Sequence, residues 1–204
     1  MAMKQHYQVI IVGGGPVGTA MAVALGLRGI SCALIERHLQ PQHIPKGQNL
    51  SQRSMENLFF WEVAADVRAA RVLPPNFPIG GITAYRDLSS DQWFAPVGRG
   101  TVAQFYFQKN ECLPQYLTEE VLRRKLTTLP SVTTMFEWTA ESVEQDGSGV
   151  CIVVSKEGEP QATLHADYVV GCDGAHSLVR EQLGIKRSGT RLRAKDGPAS
   201  VQVQ

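Results

Sequence analysis

YQVIIVGGGPVGTAMAVALGLRG, from Tyr7 to Gly29, joins a short apolar run to a helical pattern through Gly13, Gly15 and Gly18, which stand at GxGxxG spacing. Val9 to Val12 is the kind of run expected of a strand buried on both faces of a parallel sheet. Gly13 permits a tight turn, Gly15 leaves no side chain between backbone and phosphate, and Gly18 lets the following helix pack close to the strand. Pro16 suits a first helical turn, where its missing N–H costs little. Val17, Ala20, Met21, Ala24 and Leu25 recur at helical spacing, and Gly29 can end the helix. The start of such a helix carries unpaired N–H groups and about half a positive charge, which a pyrophosphate neutralises. Ser31 to Ile35 reads as a second strand ending at Glu36. That carboxylate lies about 20 residues beyond the glycines, where it can accept hydrogen bonds from ribose hydroxyls. In a chain with 19 glycines among 204 residues the glycine spacing alone is weak; its flanks make it specific.

A second stretch, DYVVGCDGAHSLVR from Asp167 to Arg180, pairs with the first. Tyr168 to Gly171 reads as a buried strand that delivers Asp173-Gly174, and a further helix start follows. Together the two stretches predict a bound dinucleotide, redox chemistry and a single cleft shared by Gly15 and Asp173.

Composition fits a soluble globular enzyme, with 43% hydrophobic residues and a net charge of +1. Neither a nucleic-acid surface nor an acidic tail is expected. Cys32, Cys112, Cys151 and Cys172 form no CxxC pair and no zinc spacing, so they read as reduced core thiols of a cytoplasmic protein. No metal site is expected from the histidines. No apolar run approaches the ~20 residues of a membrane span, and Val9–Val12 reads as a strand and not a leader.

Between the two stretches, a polar loop covers Arg37 to Leu50. Ser51 can cap a helix with Met55, Leu58 and Phe59 on one side. Arg53 in its first turn opposes the helix dipole and calls for an anionic partner. A second helical piece spans Val63 to Ala70. Ile79 to Val97 reads as a hairpin, and Phe105 to Phe107 as a strand. Pro114 to Leu129 is a helix in which Glu119 and Glu120 precede Arg123 and Arg124 by four residues, and Gln115 lies in its first turn. Val132 to His165 reads as an antiparallel meander broken at Asp146-Gly147 and at Lys156-Glu157-Gly158.

GGGPVG with Glu36, RSMENL at Arg53 to Leu58, PQYLTEEVLRRKL and GCDGAHSLVR, in this order, resemble the FAD-dependent aromatic hydroxylases, the single-component (class A) flavoprotein monooxygenases. The Asp-Gly fingerprint is matched at Asp173, Gly174, Ser177 and Arg180, and the resemblance covers residues 6 to 186. It implies an α/β, Rossmann-like FAD-binding fold: a parallel sheet with an antiparallel meander crossing over it. It also implies a cofactor set of Gly13, Gly15, Pro16, Val17 and Gly18 at the FAD pyrophosphate, Glu36 at the adenosine ribose and Arg37 along the adenosine. Arg53 is placed on the pyrophosphate and flavin side, and Gln115 hydrogen-bonds the cofactor. Asp173 and Gly174 belong to the fingerprint that serves both FAD and NAD(P)H. Surface or purely structural roles remain open for Arg53, Gln115 and Arg180. His176 reads as structural.

The implied activity uses NADH or NADPH to reduce the flavin, which then activates O2 to hydroxylate a small aromatic, typically phenolic, substrate. Neither motif demands a catalytic side chain, so none is assigned. Family members continue into a substrate-side sheet and a Gly-Asp motif, and motifs here stop near Lys186. The expectation is an FAD-binding domain over 1–186, with 74–110 facing the substrate side, and a disordered polar tail over 187–204 in a C-terminally truncated chain that retains FAD weakly. A non-catalytic FAD-binding remnant is the alternative. An NAD-dependent dehydrogenase or reductase accounts for the glycines and Glu36 but leaves GCDGAHSLVR unexplained.

Overall fold

A computed structural model of the chain describes residues 6–44, 46–74, 83–87, 89–94 and 103–187. The expected tail from 188 onward, and the parts of the expected hairpin at 79–82, 88 and 95–97, lie outside the described residues. The elements run β1 (His6–Val12), α1 (Pro16–Gly26), β2 (Cys32–Glu36), β3 (Asn49–Leu50), α2 (Gln52–Phe60), α3 (Ala64–Ala69), β4 (Thr83–Ala84) and β5 (Trp93–Phe94). They continue with β6 (Glu111–Cys112), α4 (Gln115–Leu126), β7 (Val132–Phe136), β8 (Thr139–Asp146), β9 (Gly149–Ser155), β10 (Ala162–Gly171) and α5 (Leu178–Gln182).

One mixed sheet has the order β7-β2-β1-β10-β9-β8. β1 lies parallel to both β2 and β10, with Ile10 opposite Ala33 on one side and Val169 on the other. Because β1 is covered on both faces it reads as unbroken apolar sequence; Ile10, Ile11, Leu34 and Ile35 are all essentially inaccessible. Each such side chain contributes about 1.5–3 kcal/mol of transfer free energy. Ile11, Leu34 and Val132 face the helices, where Val23 of α1, Met55 of α2, Val67 of α3 and Leu122 and Leu126 of α4 meet them. Ile10, Val12 and Ile35 face the other way, against Val143, Ile152, Val154 and Leu164 of the meander and Val179 of α5.

Four expectations need correction. The segment from Val132 is not all meander: β7 pairs parallel to β2, Cys32 opposite Val132 through Glu36 opposite Phe136. The chain from β2 to β7 passes through α2, α3 and α4, the crossover that a parallel neighbour requires. Within the segment from Val132 the antiparallel pairs are β8 with β9 and β9 with β10. The second half of β10 is not buried, and Tyr168 is 70% exposed. The reason is pairing: the ladder to β9 ends where Ala166 faces Val150, so from Asp167 onward β10 has β1 alone as neighbour. Phe105–Phe107 is not a strand: Phe105 ends a 3₁₀ turn that begins at Ala103, and all three aromatics are exposed. Phe59 does not join Met55 and Leu58 in the core; it meets Phe107 edge-on at a ring-centroid distance of 4.9 Å.

Ser51 caps α2 as expected, its Oγ accepting the Ser54 N–H at 3.1 Å. All four cysteines are free, but only Cys32 is a core thiol; Cys112, Cys151 and Cys172 are half-buried. Burial pushes the Cys32 thiol up to about 11, because the thiolate cannot be solvated between β1 and β7. Native alkylation with iodoacetamide at pH 8 is therefore expected to label Cys112 and Cys151 while sparing Cys32. Mass spectrometry showing Cys32 modified as fast as those two would contradict this packing. No helix among the described residues is long and apolar enough to cross a membrane.

Candidate functional site

A cleft of about 560 Å³ opens at the carboxyl ends of β1, β2 and β10. It forms where the two sequence stretches cross. The Gly13 N–H donates to the Ile35 carbonyl at 2.8 Å, and the Cys172 N–H to the Val12 carbonyl at 2.7 Å, so the ends of all three strands are tied together. Gly13 turns with φ +102°, and a Cβ there would collide with the Cys172 carbonyl. A Cβ on Gly18 would likewise fall inside the Gly13 carbonyl oxygen. Gly15 differs: a Cβ would meet no atom within 4 Å, since this position faces the cleft. Two of the three motif glycines thus serve packing, and one serves access.

α1 begins with Gly15 as N-cap and Pro16 next, with no side chain capping its first turn. Val17 stands 66% exposed at the cleft, an apolar residue presented to a ligand space. Glu36 closes the turn from the far side. Its Oε2 accepts the Gly14 N–H at 2.7 Å and its Oε1 the His38 N–H at 2.8 Å. A carboxylate has about four acceptor positions, so two remain for outside donors. Arg37 lies exposed on the rim.

Asp173 and Gly174 line the opposite wall. Asp173 Oδ2 accepts the Val179 N–H at 3.3 Å, while Oδ1 is buried with no partner. A buried carboxylate oxygen left unpaired is costly, and it points to a donor supplied from outside the chain. Gly174 has φ +79° and opens the 3₁₀ turn Gly174–His176. Ser177 then caps α5 through the Arg180 N–H at 3.0 Å, and the Arg180 guanidinium donates to the Ala175 carbonyl at 2.9 Å and pairs with Glu181. Ser177 and Arg180 therefore brace the Asp-Gly turn and do not form the cleft wall themselves. Burial raises the Cys172 thiol, and the neighbouring Asp173 charge adds to it.

Gln115 joins the site from the start of α4. Its N–H donates to the Gly47 carbonyl at 3.0 Å and its Nε2 to Glu119 at 2.7 Å. Arg53 is not brought to the cleft. Its side chain is 77% exposed in the first turn of α2, and the anionic partner it needed is Glu56, one turn on at 3.4 Å. Among the lining residues that the sequence reading did not single out are Arg123, Trp138 with the first residues of β8, and Gln40, Gln42 and Lys46 of the loop before β3; His176, read as structural, also lines the cleft. Arg123 had a legible signal, since Gln115, Glu119 and Arg123 recur every fourth residue on a helix whose other face is apolar. Trp138 had none; its place follows from the parallel pairing of β7 with β2 and from its N–H donating to the Glu36 carbonyl at 3.2 Å.

The donor set fits FAD: an uncapped helix start behind a side-chain-free Gly15, an acid at the end of β2 and an orphan carboxylate oxygen opposite. Residues 6–203 match the family described as FAD binding domain, and the chain belongs to that family. It is 34% identical over 187 residues to a 3-(3-hydroxy-phenyl)propionate/3-hydroxycinnamic acid hydroxylase of Burkholderia cenocepacia, covering 92% of this chain and 33% of the relative. A flavin-dependent monooxygenase of Mycobacteroides abscessus is 29% identical, with 89% and 38% covered. Among solved structures, the flavin-dependent monooxygenase PieE in complex with FAD and substrate superimposes with a TM-score of 0.81 at 27% identity, over 93% of this chain and 34% of that one. The p-nitrophenol 4-monooxygenase PnpA of Pseudomonas putida gives 0.75 at 26%, over 89% and 44%. The chain thus spans about a third of the length of the curated relatives it matches.

Proposed function

We propose that this chain is the FAD-binding part of an NAD(P)H-dependent flavoprotein monooxygenase that hydroxylates small phenolic compounds. The observation that carries the reading is the shared cleft, in which the glycine turn and the Asp-Gly turn face one another across ligand-sized space. Residues 1–186 serve as the FAD-binding domain, with 74–110 turned to the substrate side.

Each wall has a definite task. The Gly15 N–H and the start of α1 neutralise pyrophosphate charge, a role that needs backbone access and no side chain. Glu36, fixed by the Gly14 and His38 amides, accepts hydrogen bonds from the adenosine ribose, and Arg37 lies along the adenosine. Gln115, held by Glu119, donates to the cofactor. The free Oδ1 of Asp173 accepts from a cofactor hydroxyl, and Gly174 gives the backbone room to approach. When bound, FAD supplies hydride acceptance from NADH or NADPH and activation of O2. Hydroxylated aromatic acids and nitrophenol, the compounds named for the relatives, support a phenolic substrate class. Free cysteines support a cytoplasmic setting.

Titration of the purified chain with FAD tests the reading. Quenching of flavin fluorescence and a protein-perturbed flavin absorbance are expected, displaced by excess ADP. Binding of NADH with no binding of FAD would replace this proposal with the dehydrogenase reading.

A further inference from the structure

We propose that Arg123 is a positioning residue for the pyrophosphate-binding amide of Gly15, an inference that rests on the FAD reading above. Arg123 projects from the middle of α4 under the glycine turn. Its Nη1 donates to the Leu39 carbonyl at 2.6 Å and its Nη2 to the Gly14 carbonyl at 3.4 Å. Its guanidinium lies over the Phe136 ring at 4.4 Å from the centroid. Nε is buried with no partner. Burial pulls its pKa down, and the fields of Glu36 and Glu119 push it back up. A long side chain held this way at three points is a strut and not a solvated charge.

What the strut fixes follows from peptide geometry. The Gly14–Gly15 peptide is planar and trans, so its C=O and N–H point in opposite directions. Arg123 draws the Gly14 carbonyl toward α4, and the Gly15 N–H is thereby turned the other way. The preceding Gly14 N–H is already held by Glu36 Oε2 at 2.7 Å, and Gly15's own carbonyl by the Thr19 N–H and hydroxyl at 3.0 and 2.8 Å. Arg123 therefore holds the one peptide edge that those bonds leave unset. Glycines on both sides of that peptide make an external restraint necessary, because glycine itself imposes little on φ or ψ. Lysine cannot replace it, since one ammonium lacks the planar fork that spans two carbonyls.

The test compares ADP with adenosine binding by calorimetry on the full chain and on R123M, R123K and, as control, R124M, whose arginine is exposed. R123M and R123K are each expected to weaken ADP about tenfold or more while changing adenosine about threefold or less, and R124M to change neither. A merely structural role would weaken both ligands alike, and that result overturns the inference. Restoration of wild-type ADP affinity by lysine also overturns it, because charge alone would then suffice. If both Arg123 variants fail to give a cooperative melt, the role is structural and the inference falls. Failure of the wild-type chain to bind ADP or FAD would overturn the FAD reading and this inference together, whereas unchanged selectivity in variants of a binding-competent chain sinks the inference alone.

Discussion

Gly18→Ala is expected to destabilise the chain by about 3 kcal/mol or more and to abolish FAD binding. Intrinsic propensity predicts the reverse, since alanine in a helix interior is favoured over glycine by about 1 kcal/mol. Packing overrules propensity because the new methyl would occupy the position of the Gly13 carbonyl oxygen. That oxygen belongs to backbone fixed by the Ile35 carbonyl and wedged against Cys172, so neither partner can yield without parting α1 from β1 and β10. With typical stabilities of about 5–15 kcal/mol, such a loss is a large share of the whole. The urea midpoint by circular dichroism measures it. A variant as stable as wild type, or more so, would show that α1 is not seated on the glycine turn as described.

Gly15→Val should do the opposite: leave stability within about 0.5 kcal/mol and reduce FAD and ADP affinity about 30-fold or more. The backbone of Gly15, at φ −71° and ψ −170°, suits any residue, and its missing Cβ faces open space. A valine side chain folds there without strain and then stands in the cleft where the proposed pyrophosphate path meets the amides. Equal melting temperatures with lost ADP binding in calorimetry are the expected pair of results. Undiminished ADP affinity would mean that the pyrophosphate does not pass Gly15. The contrast between two glycines three residues apart separates fold from function within one motif.

Legibility along the chain follows the range of the interactions concerned. The unit from β1 through α1 to β2 was readable because its determinants are local: an apolar run, glycines at fixed offsets, a proline at the helix start and an acid at the strand end. α4 was readable for the same reason, with Pro114 before it and its acid-to-base order along it. The Asp-Gly turn was readable as a pattern, but Arg180 shows what a pattern leaves out, since its guanidinium braces the turn through the Ala175 carbonyl. Arg53 shows the reverse: a charge that demanded a partner found it one turn away in Glu56.

The letters from Tyr7 to Glu36, with Asp173 and Gly174, were by themselves enough to determine an α/β fold of the FAD-binding kind with its glycine turn and Asp-Gly turn, because strand burial, tight turns and helix starts are imposed within a few residues. Tertiary structure alone decided that β7 lies parallel against β2, that β10 loses its outer neighbour after Ala166, and that Arg123 reaches the Gly14 carbonyl from 109 positions away. Those outcomes depend on which distant segments share an edge or a face once the core closes, and no local pattern of residues encodes that choice.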